Sequence, residues 1–193
     1  GVVRAYAALQ ELPEKKLRLL VGARLVFTDG TPDILAYPQD KVTYGNVCRL
    51  LSAGKLRAPK GDCYLTFDDV LKWQQGLLLV VIPPLARRLE KQELQTKVVW
   101  NQKQSAENVA TVEATQKSLD EILKRLAEVA PSRLWLGCAM PLLGDDHFNL
   151  RQWKKLAEQN HVPLLAINDV RYHVPERRML QDVVTCIREH VTL

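Results

Sequence analysis

Few residues in this chain of 193 are arranged to do chemistry, and those few lie mainly near its end. In the run Pro163-Leu164-Leu165-Ala166-Ile167-Asn168-Asp169-Val170-Arg171-Tyr172-His173, an apolar segment ends on an acid. Ligands of parallel α/β sheets and barrels gather where strands end, so Asp169 suits a metal or phosphate site. It suits a loop cap equally well. The four histidines, His147, His161, His173 and His190, show none of the H-x-H or H-E-x-x-H spacings that bring two imidazoles to one metal. No Gly-rich phosphate loop, dinucleotide fingerprint or serine elbow occurs, which removes local support for those enzyme classes. The four cysteines, Cys48, Cys63, Cys138 and Cys186, are widely spaced and read as reduced thiols of a cytoplasmic protein. Arg49, Lys55, Arg57 and Lys60, with Gly54, Pro59 and Gly61 between them, form a basic stretch able to meet nucleic-acid phosphate, or an ordinary solvated loop.

The elements that must position these residues follow from periodicity. Val3 to Leu12 reads as the tail of an amphipathic helix and Leu17 to Phe27 as a strand-like run. Thr28-Asp29-Gly30-Thr31-Pro32 is a hairpin turn returning into a strand from Ile34 to Tyr37. Val42 to Leu51 is helical, with Gly54 expected to close the helix. At Thr66-Phe67-Asp68-Asp69 a capping pattern starts a short helix to Gln75. Leu77 to Ile82, apolar throughout, is expected to be a parallel core strand. A helix from about Ser105 buries Val109, Val112, Leu119, Ile122, Leu123, Leu126 and Val129 before Pro131. A strand from Leu134 to Met140, a helix carrying Leu150, Trp153, Leu156 and Ala157, and a strand from Val162 to Ile167 follow, and Trp135 and Trp153 are assigned to core faces. Pro175 opens a last helix whose Leu180, Val183, Val184 and Ile187 form a core face. The alternation predicts an α/β protein with a largely parallel sheet, open or closed into a barrel.

Composition agrees with one folded domain. Hydrophobic residues make up 47% and charged residues 25%, unlike a disordered chain. The longest apolar run, Leu77 to Ile82, is far below the roughly 18 residues a membrane span needs, and no secretory leader is visible. Lys and Arg number 27 against 22 Asp and Glu, a formal +5 that makes a polyanionic partner plausible. The absence of an initiating Met suggests a piece of a longer protein.

Taken in order, Gly1-Val2-Val3-Arg4-Ala5, Leu20-Val21-Gly22-Ala23, Tyr44-Gly45-Asn46-Val47-Cys48-Arg49-Leu50, Lys60-Gly61, Leu65-Thr66, Arg133-Leu134-Trp135-Leu136 and Asn168-Asp169-Val170 through Leu180-Gln181-Asp182 form a colinear series. The series resembles the PHP (polymerase and histidinol phosphatase) domain of bacterial C-family DNA polymerases related to the polymerase III alpha subunit, in particular their error-prone, damage-induced class. The resemblance implies a single partial domain over residues 1–193, a distorted parallel (βα) barrel lacking its first strands, with residues 85–118 as a family-variable insert. It implies divalent Mg, Mn or Zn in intact family members, and DNA, the sliding clamp and other translesion-synthesis proteins as partners of a cytoplasmic polymerase.

The departures from the family pattern are specific. The family's first H-x-H strand and its L-T-D strand would precede Gly1. Arg24 stands where the family has Glu, Arg171 stands where it has a His, and Gly137-Cys138-Ala139-Met140-Pro141 has neither the acid nor the His expected after L-W-L. Asp169 and His173 remain. A divalent ion needs lone pairs, and an arginine has none to give. The expectation is therefore a non-catalytic scaffold without metal or cofactor, in which Arg24 or Arg171 pairs with Asp169 in place of an ion. The rival expectations are a metal-dependent phosphoesterase or 3'-5' exonuclease on the same barrel, and a stand-alone basic nucleic-acid-binding module.

Overall fold

A computed structural model of the chain describes residues 2–12, 17–84, 119–142, 144, 146–170, 172–189 and 191–192. The expected insert at 85–118, the helical positions Val109 and Val112, and Arg171 lie outside the described residues.

The sheet begins at the Asp-Gly turn. Gly30 takes φ +84°, and the Asp29 carboxylate accepts the Thr31 N–H at 3.1 Å, folding β1 (Ala23–Leu25) back on β2 (Ile34–Pro38) as expected. Only three residues of the expected run from Leu17 to Phe27 pair with β2, and Phe27 makes an isolated bridge to Leu65. Asp29 has a second task. Its other carboxylate oxygen accepts the Phe67 N–H at 2.7 Å, at the start of a helix 38 residues away. Burial opposes the ionised form, but these donors outweigh it and hold the carboxyl below its ordinary range. Asp29→Ala is expected to cost about 1–2 kcal/mol in urea unfolding, the size of a lost helix cap.

Helix α2 (Lys41–Arg57) starts with a capping box: the Asp40 carboxylate accepts the Thr43 N–H at 2.8 Å, and the Thr43 hydroxyl accepts the Asp40 N–H at 3.0 Å. It buries Thr43, Val47, Leu50 and Gly54, so Gly54 lies inside the helix and does not close it. Asp69 starts α3 (Phe67–Trp73) by reaching back to the Thr66 N–H at 2.9 Å, as the sequence pattern foretells, while the Thr66 hydroxyl donates to the same carboxylate at 3.1 Å. Arg133 then fixes the passage from α3 into β3 (Leu77–Val81), donating to the carbonyls of Gln74 at 3.1 Å and Leu77 at 3.0 Å.

Strand β3 is the middle of a five-stranded sheet in sequential order. It runs antiparallel to β2 but parallel to β4 (Leu134–Cys138), which is parallel to β5 (Leu164–Ala166). The fold is α/β as expected, but the sheet is mixed: the Asp-Gly hairpin sets β2 against β1, the return through α2 and α3 sets β3 against β2, and only β3, β4 and β5 run parallel to one another. One face is packed by Leu25, Ile34, Leu79 and Leu136 against α2, α3 and α4 (residues 119–129), which contributes Leu123 and Leu126. Trp135 is on the other face and only half buried, contrary to expectation, because side chains alternate and Leu134 and Leu136 take the core side. Trp153, on α5 (Asp146–Gln159), packs against the core as expected. Asn160 ties α5 to α4, donating to Asp120 at 2.8 Å.

A 3-10 turn at Pro175–Arg177 leads into α6 (Arg178–Glu189). Its Leu180, Val183, Val184 and Ile187 do form one stripe, but they are 55%, 37%, 50% and 69% exposed. The expected core face is therefore uncovered among the described residues. The apolar Val2, Val3 and Tyr6 of α1 (Val2–Glu11) are likewise exposed. No helix among the described residues is long and apolar enough to cross a membrane.

Candidate functional site

Three charged groups meet at the end of the sheet where the parallel strands finish. Arg24 lies mid-strand on β1 and faces away from the core, since its neighbour Leu25 is fully buried. Asp33 immediately precedes β2 and lies beside the end of β3, its carbonyl accepting the Ile82 N–H at 2.8 Å. Asp169 follows β5 by three residues in a left-handed turn, φ +40°, a conformation that Asp tolerates better than most residues.

Arg24 joins the other two. Its Nε donates to Asp33 Oδ2 at 2.7 Å, and its Nη1 donates to Asp169 Oδ1 at 2.7 Å. The Arg24, Asp33 and Asp169 side chains are 35%, 26% and 32% exposed, so the group is neither buried nor freely hydrated. Burial disfavours the cation, but Asp33 and then Asp169 outweigh it and raise the guanidinium above its ordinary pKa. Four inter-strand steps of about 4.8 Å would set β1 and β5 about 19 Å apart in a flat sheet. The ion pair from β1 to Asp169 therefore depends on the segment after β5 turning back across the end of the sheet towards β1.

The sequence points to Arg24 and Asp169, and the structure brings them together. Sequence reasoning missed Asp33, yet the hairpin held the signal. Arg24 pairs with Leu35, and Asp33 is two residues from Leu35, which makes it a diagonal neighbour on the same face. His173 is exposed and makes no hydrogen bond or ion pair with the described residues, and Arg171 lies outside them. Among the described residues, no three His, Cys, Asp or Glu side chains are gathered as a metal cluster would need.

The basic stretch is built differently from the expected loop. Arg49 and Lys55 lie on the exposed side of α2, Arg57 is its last residue, and only Lys60 is in the loop. Arg57 is engaged in a fork: Nη1 to Asp69 Oδ2 at 2.7 Å and Nη2 to Asp69 Oδ1 at 2.9 Å. That guanidinium, against the opposing effect of burial, draws the Asp69 carboxyl down to about 2. Arg49 donates to Asn46 and lies over the Trp73 ring at 5.8 Å.

Over its entire length the chain is 44% identical to the error-prone DNA polymerase of Rhodopseudomonas palustris (strain BisB5). It is similar throughout to one segment of such polymerases. The error-prone DNA polymerases of Bradyrhizobium sp. (strain ORS 278) and Sinorhizobium medicae (strain WSM419) are 40% and 42% identical over 100% and 99% of the chain. The chain spans about 15% of the length of these polymerases. No family model matches it. The similarity to error-prone polymerases expected from the motifs is thus present along the whole chain.

Proposed function

We propose that the chain is part of the N-terminal PHP domain of an error-prone, damage-induced DNA-directed DNA polymerase, and that it serves there as a non-catalytic scaffold. The observation that carries this reading is the Arg24 guanidinium held between Asp33 and Asp169 at the C-terminal end of the parallel strands. A divalent cation bound there would face a fixed positive group with no lone pair, competing for the same carboxylate oxygens. The donor set does not fit the metal that the resemblance implies, and no catalytic step runs through one here. Arginine instead supplies the balancing charge permanently, tying β1 to the segment after β5 whatever the metal supply.

The Arg24–Asp169 pair, which joins the β1 edge to the segment after β5 at the other edge, supports a barrel-like arrangement. The apolar residues of α1 and α6, uncovered among the described residues, support a domain embedded in a larger protein, since stripes of this kind ordinarily pack against something. On this reading nucleotide transfer belongs to other parts of the polymerase, and DNA, the sliding clamp and the translesion proteins are its partners.

Thermal unfolding with and without millimolar Mn²⁺ tests the reading. The native chain should show no Mn²⁺-dependent shift and no phosphoesterase activity. Arg24→Gln should lose about 1–2 kcal/mol, because two partly exposed charge-assisted contacts go. Stoichiometric Mn²⁺ binding by the native chain, accompanied by phosphoester hydrolysis, would falsify the scaffold reading and favour the hydrolase.

A further inference from the structure

The outer side of α2 has an organisation that the Arg24 site does not explain. From Lys41 to Gly61 the chain carries five cations, Lys41, Arg49, Lys55, Arg57 and Lys60, and no Asp or Glu. Arg57 is neutralised by Asp69, but no ion pair forms between Lys41, Arg49, Lys55 or Lys60 and the described residues. At 100° per residue, Lys41, Arg49 and Lys55 fall within about 120° of the helix circumference. The buried positions Thr43, Val47, Leu50 and Gly54 occupy the opposite side. The helix is thus anchored along one side and presents a cationic ridge along the other.

We infer that this ridge binds the phosphate backbone of double-stranded DNA. At 1.5 Å per residue, Lys41 and Lys55 are about 21 Å apart along a rigid helix, matching roughly six base pairs at 3.4 Å. A line of fixed cations without intervening carboxylates is the form that releases condensed counterions from a polyanion. Base stacking by a single strand would find one exposed ring among the described residues of this side of α2, Tyr44 at 43%, and successive bases need more than one. Trp73, which borders it, is packed against the core and has Arg49 at 5.8 Å and Lys72 at 5.4 Å from its ring centroid. A lipid surface needs a continuous apolar stripe, whereas the exposed Val42 and Tyr44 at the start of α2 and Leu56 at its end are separated by about three turns of helix. Of the basic residues singled out by sequence, the ridge keeps Arg49 and Lys55, leaves out Arg57 and the loop residue Lys60, and adds Lys41. It stands independently of the Arg24 reading, which concerns another face and another ligand.

Fluorescence anisotropy of the full chain with a labelled 20-base-pair duplex, titrated between 50 and 200 mM salt, tests the inference. Each phosphate contact contributes about 0.9 to the salt slope, so three contacts alone weaken binding about 40-fold across that range. The triple variant Lys41→Gln, Arg49→Gln, Lys55→Gln should bind at least about tenfold more weakly at 50 mM salt and lose about 2–3 units of slope. Lys154→Gln with Lys155→Gln, on α5, should change neither. The three ridge side chains are exposed, and an unchanged thermal midpoint in the triple variant will show that the fold is intact. Equal duplex affinity and slope in the triple variant and the native chain overturn the inference. So does ridge-dependent binding to phosphatidylserine vesicles or polyglutamate that matches or exceeds binding to the duplex.

Discussion

Asp69→Ala is expected to lower the unfolding free energy of the chain by about 2–3 kcal/mol at neutral pH. The residue is only 8% exposed, and its carboxylate receives four hydrogen bonds, two from the Arg57 guanidinium and two from Thr66. Truncation orphans the Thr66 N–H at the start of α3, worth about 1 kcal/mol, and removes charge-assisted bonds from Arg57. The loss stops short of that for a deeply buried pair because the Arg57 side chain, 44% exposed, can turn to water. Asp69→Asn keeps an acceptor oxygen and should cost less.

Acid provides a second readout with a definite sign. The Asp69 carboxyl is held down at about 2 in the folded chain against an ordinary 3.8, so the unfolded state takes up the proton first as pH falls. The stabilisation is complete above about pH 5 and is lost as pH falls through 4 towards 2. After allowance for screening at the half-exposed Arg57, this amounts to about 1–2 kcal/mol. Urea unfolding at pH 7, 4 and 3 should therefore show the gap between native chain and Asp69→Ala narrowing with acid. A gap that stays constant would show that the carboxylate is not held in its ionised form by these donors.

Local signals were legible in the sequence wherever one short segment settles the matter. Asp29-Gly30 fixes the hairpin through positive φ, and Thr66 with Asp69 fixes the start of α3, because each completes its hydrogen bonds within a few residues. The reversal of β2 against β3 was not legible: Leu77 to Ile82 is equally apolar whether its neighbours run parallel or antiparallel. The stripe of α6 shows the complementary limit, since periodicity specifies an apolar face without specifying what covers it. At the candidate site, Arg24 and Asp169 were legible as a charge pair. Asp33 needed the hairpin register, a non-local fact implicit in the turn length.

Gly54→Val is expected to cost about 3 kcal/mol, and the reason is also why the sequence suggests the wrong role for this glycine. A glycine after an apolar helical run reads as a terminator, yet here α2 continues to Arg57 and Gly54 is the point of closest approach to the next segment. A Cβ at this position would lie 2.6 Å from Leu65 Cδ2 and 2.8 Å from Cys63 Sγ, and the Gly54 carbonyl accepts the Tyr64 N–H at 3.0 Å. The hydrogen bond limits how far the segment can retreat, so two further methyl groups overpack the core. Gly54→Ala should lose less, about 1 kcal/mol, because improved helix propensity offsets part of the clash. Gly45 on the same helix supplies the control: the nearest atom to its Cβ position is Arg49 Nη1 at 3.9 Å, so Gly45→Ala should gain about 0.5–1 kcal/mol. Opposite signs at two glycines nine residues apart in one helix would separate packing from propensity. A gain at both would mean that α2 does not rest on Cys63 and Leu65, and that the cationic ridge on its far side is not held in place by the core.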